Sequence, residues 1–117
     1  MLVGASAFIL GFSLCASPAK ATCTPDPATS GQTVTCSGTD TDGFQAGAGV
    51  DALNVNVLSG AAVNDNGAVS IGVNDSSAVT NNGTLSAASG LIGIGVGNSN
   101  TVTNNGTITV LDRKSVV

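Results

Sequence analysis

The chain has 117 residues and a net charge of −4, with 16 glycines, no histidine, 3% aromatic residues and 9% charged residues. An ordinary globular domain carries about 25% charged residues, far more than this chain. So few aromatic side chains exclude a core built around large aromatic residues. They favour a core of small and β-branched residues, the kind that fills solenoids. Because its basic residues are Lys20, Arg113 and Lys114, the chain has no cation over positions 22–111 with which to bind nucleic acid or an anionic lipid surface.

Residues 1–21 are predicted to be an export signal with a helical apolar run. This run, Leu2–Leu14, is shorter than the roughly 20 apolar residues of a membrane-spanning helix. Ala19-Lys20-Ala21 then fits the small-x-small rule, which places cleavage between Ala21 and Thr22. A basic segment before the apolar run is missing, and a buried core helix is the alternative.

The cysteines are consistent with an oxidising destination. Cys15 lies inside the predicted signal, so cleavage leaves Cys23 and Cys36 as an even pair. Such a pair can close a short disulfide loop, which contributes about 3 kcal/mol in the chain-entropy model. A zinc site would need three or four ligands, and a redox pair would need C-x-x-C spacing. Two free thiols remain the alternative, and we interpret residues 22–48 as an N-terminal cap segment.

Residues 49–111 are predicted to be repeats. The segments Ile71–Thr84 and Ile94–Thr107 agree at ten of fourteen positions, at an offset of 23. A weaker copy lies upstream, where Val55–Val57 and residues 63–68 align with the first segment at an offset of 16. A repeated unit of about 20 residues is typical of solenoid proteins.

The repeats consist of short strands separated by Asn-Gly dipeptides. Residues 53–57 alternate apolar and polar side chains with the period of a strand. We interpret the Asn-Gly dipeptides as tight turns, because Asn and Gly tolerate φ > 0. Antiparallel hairpins and a parallel β-helix are both compatible with such strands.

The fixed period favours an all-β fold, a right-handed parallel β-helix of about three coils. Identical turns then stack about 4.8 Å apart, with Val79 beside Val102, Ile71 beside Ile94, and asparagine amides hydrogen-bonded from coil to coil. The residues assigned to turns and to this asparagine ladder are Asn66, Gly67, Asn81, Asn82, Gly83, Asn104, Asn105 and Gly106.

No catalytic, cofactor-binding or metal-binding residue is predicted. Positions 22–111 lack His, Lys, Arg, Tyr and Glu, so their hydroxyl groups have no base to activate them. Asp40 and Asp42 are a conceivable glycosidase pair. Asp40–Gly43 also resembles half of an EF-hand loop, but the third ligand and the distal Glu are missing. We therefore expect a solvated turn there.

The last six residues, 112–117, introduce a basic doublet into a segment otherwise free of cations. The hexapeptide resembles the translation of a sequencing adapter, and we interpret it as a non-native tail. On this interpretation the natural sequence continues beyond Leu111.

Three strings, 22–25, 33–39 and 42–47, resemble the start of autotransporter passenger domains of Gram-negative bacteria, and the V-T-N-N-G-T units resemble their β-helical coils. The resemblance implies an exported fragment displayed at the cell surface or outer membrane, with a structural or adhesive role. The implied partners are the export machinery, a C-terminal outer-membrane barrel that these residues do not include, and an unknown host or cell-surface ligand. The alternative is the start of a secreted β-helical enzyme that acts on polysaccharides.

Overall fold

The computed structural model describes residues 22–64, 69–88 and 92–110. The predicted signal at 1–21, the Asn66-Gly67 turn and the predicted tail at 112–117 lie outside these described residues. No helix in the described part of the chain is long and apolar enough to cross a membrane.

The described residues form short strands and no helix. The strands are β1 Cys23–Thr24, β2 Thr33–Cys36, β3 Thr39–Asp40, β4 Phe44–Gln45, β5 Asn54–Val57, β6 Ala62–Asn64, β7 Val69–Val73, β8 Ala78–Asn81, β9 Thr84–Ala87, β10 Ile92–Val96, β11 Thr101–Asn104 and β12 Thr107–Val110.

These strands stack as a parallel β-solenoid, which confirms the predicted all-β fold. Sheet A has the order β1-β2-β5-β8-β11, sheet B the order β12-β9-β6-β3, and sheet C the order β10-β7-β4. Each coil passes once through sheets A, B and C, so the described residues contain three complete coils and two strands of a fourth. All neighbouring strands are parallel except β1, which pairs antiparallel with β2.

The spacing between the two matching segments is the length of one coil. Ile71 pairs with Ile94, and Val79 pairs with Val102, as predicted. The alternation of side chains along each strand sends these apolar residues inward and their polar neighbours outward. The two turns at 81–83 and 104–106 consequently stack at the corner between sheets A and B, which we call the Asn corner.

The alignment of the weaker upstream copy with the first segment is wrong. Val55 pairs with Val79 in sheet A and not with Ile71 in sheet C. Val63 likewise pairs with Leu85 in sheet B. A short aliphatic-polar-aliphatic run occurs on more than one sheet of the coil, at Val55–Val57 in sheet A and at Val69–Ile71 in sheet C, so the run by itself does not identify its sheet.

The solenoid begins at Thr33, earlier than the predicted boundary at 49. β2, β3 and β4 form a complete first coil, because they pair in parallel with β5, β6 and β7. This coil lacks the Asn-Gly turn of the later ones, so its sequence does not show the repeat. What caps the solenoid is the preceding segment that contains β1.

The core is a column of inward-facing aliphatic side chains with one aromatic ring. Its largest fully buried members are Phe44, Leu53, Ile71 and Leu85. Burial of one such side chain contributes about 1.5–3 kcal/mol. Each coil adds one set of these residues, so stability grows with the number of stacked coils.

Candidate functional site: side-chain ladders between the coils

The Asn corner carries two asparagine pairs, each joining one coil to the next. Asn81 Nδ2 donates to Asn104 Oδ1 at 2.8 Å, and Asn105 Nδ2 donates to Asn82 Oδ1 at 3.0 Å. The parallel register sets Asn81 directly beside Asn104, which allows identical amides to hydrogen-bond along the stack. The structure therefore brings together these four asparagines.

Asn81 makes more hydrogen bonds with its side chain than Asn82 does. Its side chain is fully buried, whereas Asn82 is exposed. Asn81 Nδ2 also donates to the Thr107 carbonyl at 3.2 Å, and Asn81 Oδ1 accepts from the Gly83 backbone N–H at 3.0 Å. A buried amide with several partners is costly to replace, because its removal leaves the backbone groups that it bonded without a hydrogen-bond partner.

The glycines of this corner are needed for a reason other than the predicted one. Neither Gly83 nor Gly106 adopts a positive φ. A Cβ on Gly83 would collide with the Ala61 carbonyl oxygen and lie 2.6 Å from that of Leu58. A Cβ on Gly106 would collide with the Gly83 carbonyl oxygen. The close approach of successive coils excludes a side chain here.

A second ladder lies at the turn that leads into sheet A, which we call the Asp corner. Asp51 N donates to Ser30 Oγ at 2.9 Å, Asp75 N to Asp51 Oδ1 at 3.3 Å, and Asn98 N to Asp75 Oδ1 at 2.7 Å. In each case, the side chain of one coil accepts from the backbone of the next. Four successive coils are joined in this way, against two at the described Asn corner.

The residue after each of the four ladder residues, Ser30, Asp51, Asp75 and Asn98, has a left-handed backbone. The φ values are 83° at Gly31, 59° at Ala52, 56° at Ser76 and 57° at Ser99. This conformation costs about 1–2 kcal/mol for a residue with a Cβ atom. Hydrogen bonds between coils hold it, since Ala52 N and Ser76 N each donate to a carbonyl of the next coil at 2.9 Å. The sequence signal for this corner is Asp or Asn followed by a small residue at the coil period, a signal that none of the predictions from the sequence uses.

Asp40 anchors the N-terminal end of the solenoid. It is 2% exposed, and its carboxylate accepts from the backbone N–H groups of Cys23 at 2.8 Å, Asp42 at 3.0 Å and Gly43 at 2.9 Å. The expected solvated turn is therefore wrong for Asp40, although Asp42 is exposed. The buried loop N–H groups need an acceptor, and the Asp40 carboxylate supplies it.

The two carboxyls of this loop have pKa values shifted in opposite directions. Burial raises the pKa of Asp40, but hydrogen bonds from the Asp42 side chain and from the backbone outweigh it, and the net pKa lies below 3.8. The hydrogen bond to Asp40 and the charge of that carboxylate raise the pKa of Asp42 above 3.8. The hydrogen bond that the two carboxyls share thus moves their pKa values in opposite directions.

Cys23 and Cys36 face each other across the antiparallel β1–β2 pair and are joined by a disulfide. Both cysteines are fully buried. The bond fixes β1 over the outer edge of β2, next to the contact between Cys23 N and Asp40. Thr22, which follows the predicted cleavage position, is half-buried beside this cap.

A groove of about 350 Å³ lies over sheet C. Gly72 and Gly95 line it from neighbouring strands, and its polar side chains are Gln45, Asn74 and Asp75. The Asn74 amide already donates to two backbone carbonyls at 2.7 and 3.0 Å, and Asp75 belongs to the Asp corner ladder. The polar groups other than Gln45 thus already hold the coils together.

The described residues contain no group of three or more side chains able to hold a metal ion. The outer face of sheet A instead presents uncharged hydroxyl and amide groups in register. Its exposed members include Thr33, Asn54, Thr101 and Thr103. Such a face can form hydrogen bonds to a neutral surface over several coils.

No protein-family model matches the chain, and neither a curated protein nor a solved structure is significantly similar to it. The fold therefore defines the class of protein, a parallel β-solenoid with side-chain ladders at its corners. The resemblance to autotransporter passenger domains stays a prediction.

Proposed function

We propose that this chain is part of an exported, surface-displayed passenger of the autotransporter type, with a structural and adhesive role. The observation that carries the proposal is the parallel stack of coils joined by ladders at the Asn and Asp corners. A stack of this kind grows along one axis, which suits a stalk that projects from a surface.

The cap is consistent with an exported protein. The Cys23–Cys36 disulfide is of a kind that persists in oxidising compartments and is rare in the cytosol. The predicted signal at residues 1–21 and the resemblance of residues 22–47 to the start of passenger domains agree with this destination. The partners proposed on this basis are the export machinery and an outer-membrane barrel.

The outer face of sheet A supports an adhesive role. Thr33, Asn54 and Thr101 expose polar side chains without charge on the first, second and fourth coils, and Ala78 occupies this row on the third. Many weak hydrogen bonds repeated along a rigid rod add up to firm attachment, because the second and later contacts are intramolecular. This function requires no catalytic group within the chain.

A display experiment tests the proposal. The full chain is placed ahead of an outer-membrane translocator barrel in a Gram-negative host, and an epitope is measured on intact cells. We expect removal of residues 1–21, surface exposure of the epitope, and increased adherence of the cells to each other or to a host-cell layer. The Gly83→Val variant is the control, because a side chain at Gly83 collides with the preceding coil.

Two outcomes would contradict the proposal. Retention of an unprocessed chain in the cytoplasm would exclude export, and display without any gain in adherence would exclude the adhesive role. Release of reducing ends from polysaccharides by the displayed chain, and its loss in Asp40→Asn and Asp42→Asn, would instead favour the enzymatic alternative.

A further inference from the structure

The Asn corner carries a sequence that can accept an N-linked sugar. Residues 82–84 read Asn-Gly-Thr, and in an Asn-X-Ser/Thr triplet a transferase can join a sugar to the asparagine side chain. The same triplet recurs one coil later at residues 105–107, and residues 74–76 read Asn-Asp-Ser. Such triplets arise by chance in a sequence rich in asparagine, so the structure has to distinguish a usable acceptor from an unusable one.

Asn82 presents an unoccupied amide nitrogen to solvent. The residue is exposed and lies in the bend between β8 and β9. Its coil has a neighbouring coil on each side, because β8 pairs with both β5 and β11, so the exposure of Asn82 does not come from a position on an outermost coil. Within the described part of the chain, the Asn82 side chain accepts one hydrogen bond through Oδ1, from Asn105, and donates none through Nδ2.

Thr84, the last residue of the triplet, is accessible as well. It is exposed at the first position of β9, and its hydroxyl makes no hydrogen bond to any described residue. Gly83 has no side chain that could lie between Asn82 and Thr84. Both groups that define the triplet are therefore open to solvent at the corner between sheets A and B.

Asn74 has the same type of triplet but a different environment. Its side chain is half-buried, and Nδ2 donates to the carbonyl oxygens of Gly47 at 2.7 Å and of Val50 at 3.0 Å. An amide nitrogen has two hydrogens, so both are in use. A sugar on Asn74 would replace one of them and leave a carbonyl without its donor, whereas a sugar on Asn82 would break no hydrogen bond.

We propose that Asn82 is an acceptor site for an N-linked sugar, which a transferase supplies from a nucleotide-activated sugar. A bond forms between Asn82 Nδ2 and the anomeric carbon of the sugar, and the bond between that carbon and the phosphate oxygen breaks. The nucleoside diphosphate leaves with the electron pair, and the amide proton passes to a base of the transferase. Oδ1 stays a carbonyl oxygen, so the modified Asn82 still accepts from Asn105. The inference requires neither surface display nor adhesion and is tested separately from them.

A transfer assay on the folded chain tests the proposal. The full chain, with its disulfide intact, is incubated with UDP-glucose and an N-glycosyltransferase that recognises Asn-X-Ser/Thr, and mass spectrometry of its peptides locates the added hexose. Synthetic peptides of residues 71–79 and 79–87 supply the rates for the same triplets without the fold. Relative to its peptide, Asn74 should react at least about 10-fold more slowly than Asn82 in the folded chain, because transfer to Asn74 breaks a hydrogen bond.

Two variants of Thr84 show whether the triplet itself directs the transfer. Thr84→Val keeps a β-branched side chain of similar shape in an exposed row, next to Ala62 and Thr107, and should abolish modification of Asn82. Thr84→Ser is the matched control and should retain it. A folded chain that is not modified at Asn82 although the peptide of residues 79–87 is, modification of Asn74 as fast as that of Asn82, or modification of Asn82 in Thr84→Val would each overturn the inference.

Discussion

Gly83 and Gly106 lie where successive coils approach each other more closely than a Cβ atom allows. The dipeptide Asn-Gly is commonly a turn signal because both residues tolerate a positive φ. Here neither glycine has a positive φ, and three residues with a Cβ atom, Ala52, Ser76 and Ser99, do. At the scale of the single residue, contacts between coils therefore decide which position requires glycine. They also decide which position holds a residue with a Cβ atom at a positive φ.

The first prediction concerns Gly83. Gly83→Ala should lower the free energy of unfolding by about 2–3 kcal/mol, because the new methyl group would collide with backbone carbonyls that cannot rotate away. Gly47→Ala is the matched control: a Cβ there would meet only Val50 Cγ2, at 3.6 Å, and φ is not positive. We expect Gly47→Ala to raise the free energy of unfolding by about 0.5 kcal/mol, because alanine restricts the unfolded chain more than glycine does. Urea unfolding of both variants measures the difference, and equal stabilities would show that the coils separate to accommodate Gly83→Ala.

At the scale of the element, the sequence predicts the later coils better than the first. The identity between residues 71–84 and 94–107 fixes the register of β7 to β12, because identical residues stack at one coil length. The first coil has no such repeat, so its residues read from the sequence alone as part of the cap. The Asp corner was missed because Ala52 and Ser76 are not residues that usually mark a left-handed turn. Its ladder is visible only when the coils are stacked.

The second prediction separates the two asparagines of one turn. Asn81→Ala should cost about 2–3 kcal/mol, since it leaves the buried Gly83 N–H without its acceptor and also removes the hydrogen bonds to Asn104 and to the Thr107 carbonyl. Asn82→Ala removes one exposed hydrogen bond to Asn105 and should cost less than about 1 kcal/mol. Thermal unfolding of the two variants checks the order. A larger loss for Asn82→Ala would mean that the exposed amide ladder matters more than the buried bonds.

At the scale of the whole molecule, the two ends of the solenoid differ. The N-terminal end is closed by the disulfide and by the carboxylate of Asp40, which holds Cys23 and the loop at Asp42 and Gly43. Among the described residues, the last three strands, β10, β11 and β12, have exposed aliphatic side chains and no comparable closure. Coils added or lost at the C-terminal end leave the closure of the N-terminal end untouched.

The third prediction follows from the pKa of Asp40, which is lower in the folded chain than its ordinary value of 3.8. The folded state therefore favours the charged form, and the stabilisation is present above pH 3.8 and lost as the pH falls through the lower, folded pKa. The raised pKa of Asp42 acts in the opposite direction. The measurement is therefore made in an Asp42→Asn background, which removes the second carboxyl but keeps a side-chain N–H that can donate to the Asp40 carboxylate.

In that background, Asp40→Asn should lower the free energy of unfolding at pH 7 by about 2–3 kcal/mol, because the charged acceptor of three N–H groups is lost. Its stability should also vary less with pH between neutrality and acid. Denaturant unfolding at a series of pH values, with the disulfide intact, gives both quantities. Parallel pH curves for the two proteins would rule out Asp40 as the source of the acid sensitivity.

The parallel register also bears on how a gene for such a protein can change in length. The segments Ile71–Thr84 and Ile94–Thr107 occupy the same positions on successive coils, one coil length apart. An unequal exchange between their coding sequences would delete or duplicate one whole coil, and every strand and corner beyond the junction would still meet an equivalent neighbour. Rods of different length could therefore arise in single genetic steps, each of them foldable without any compensating substitution.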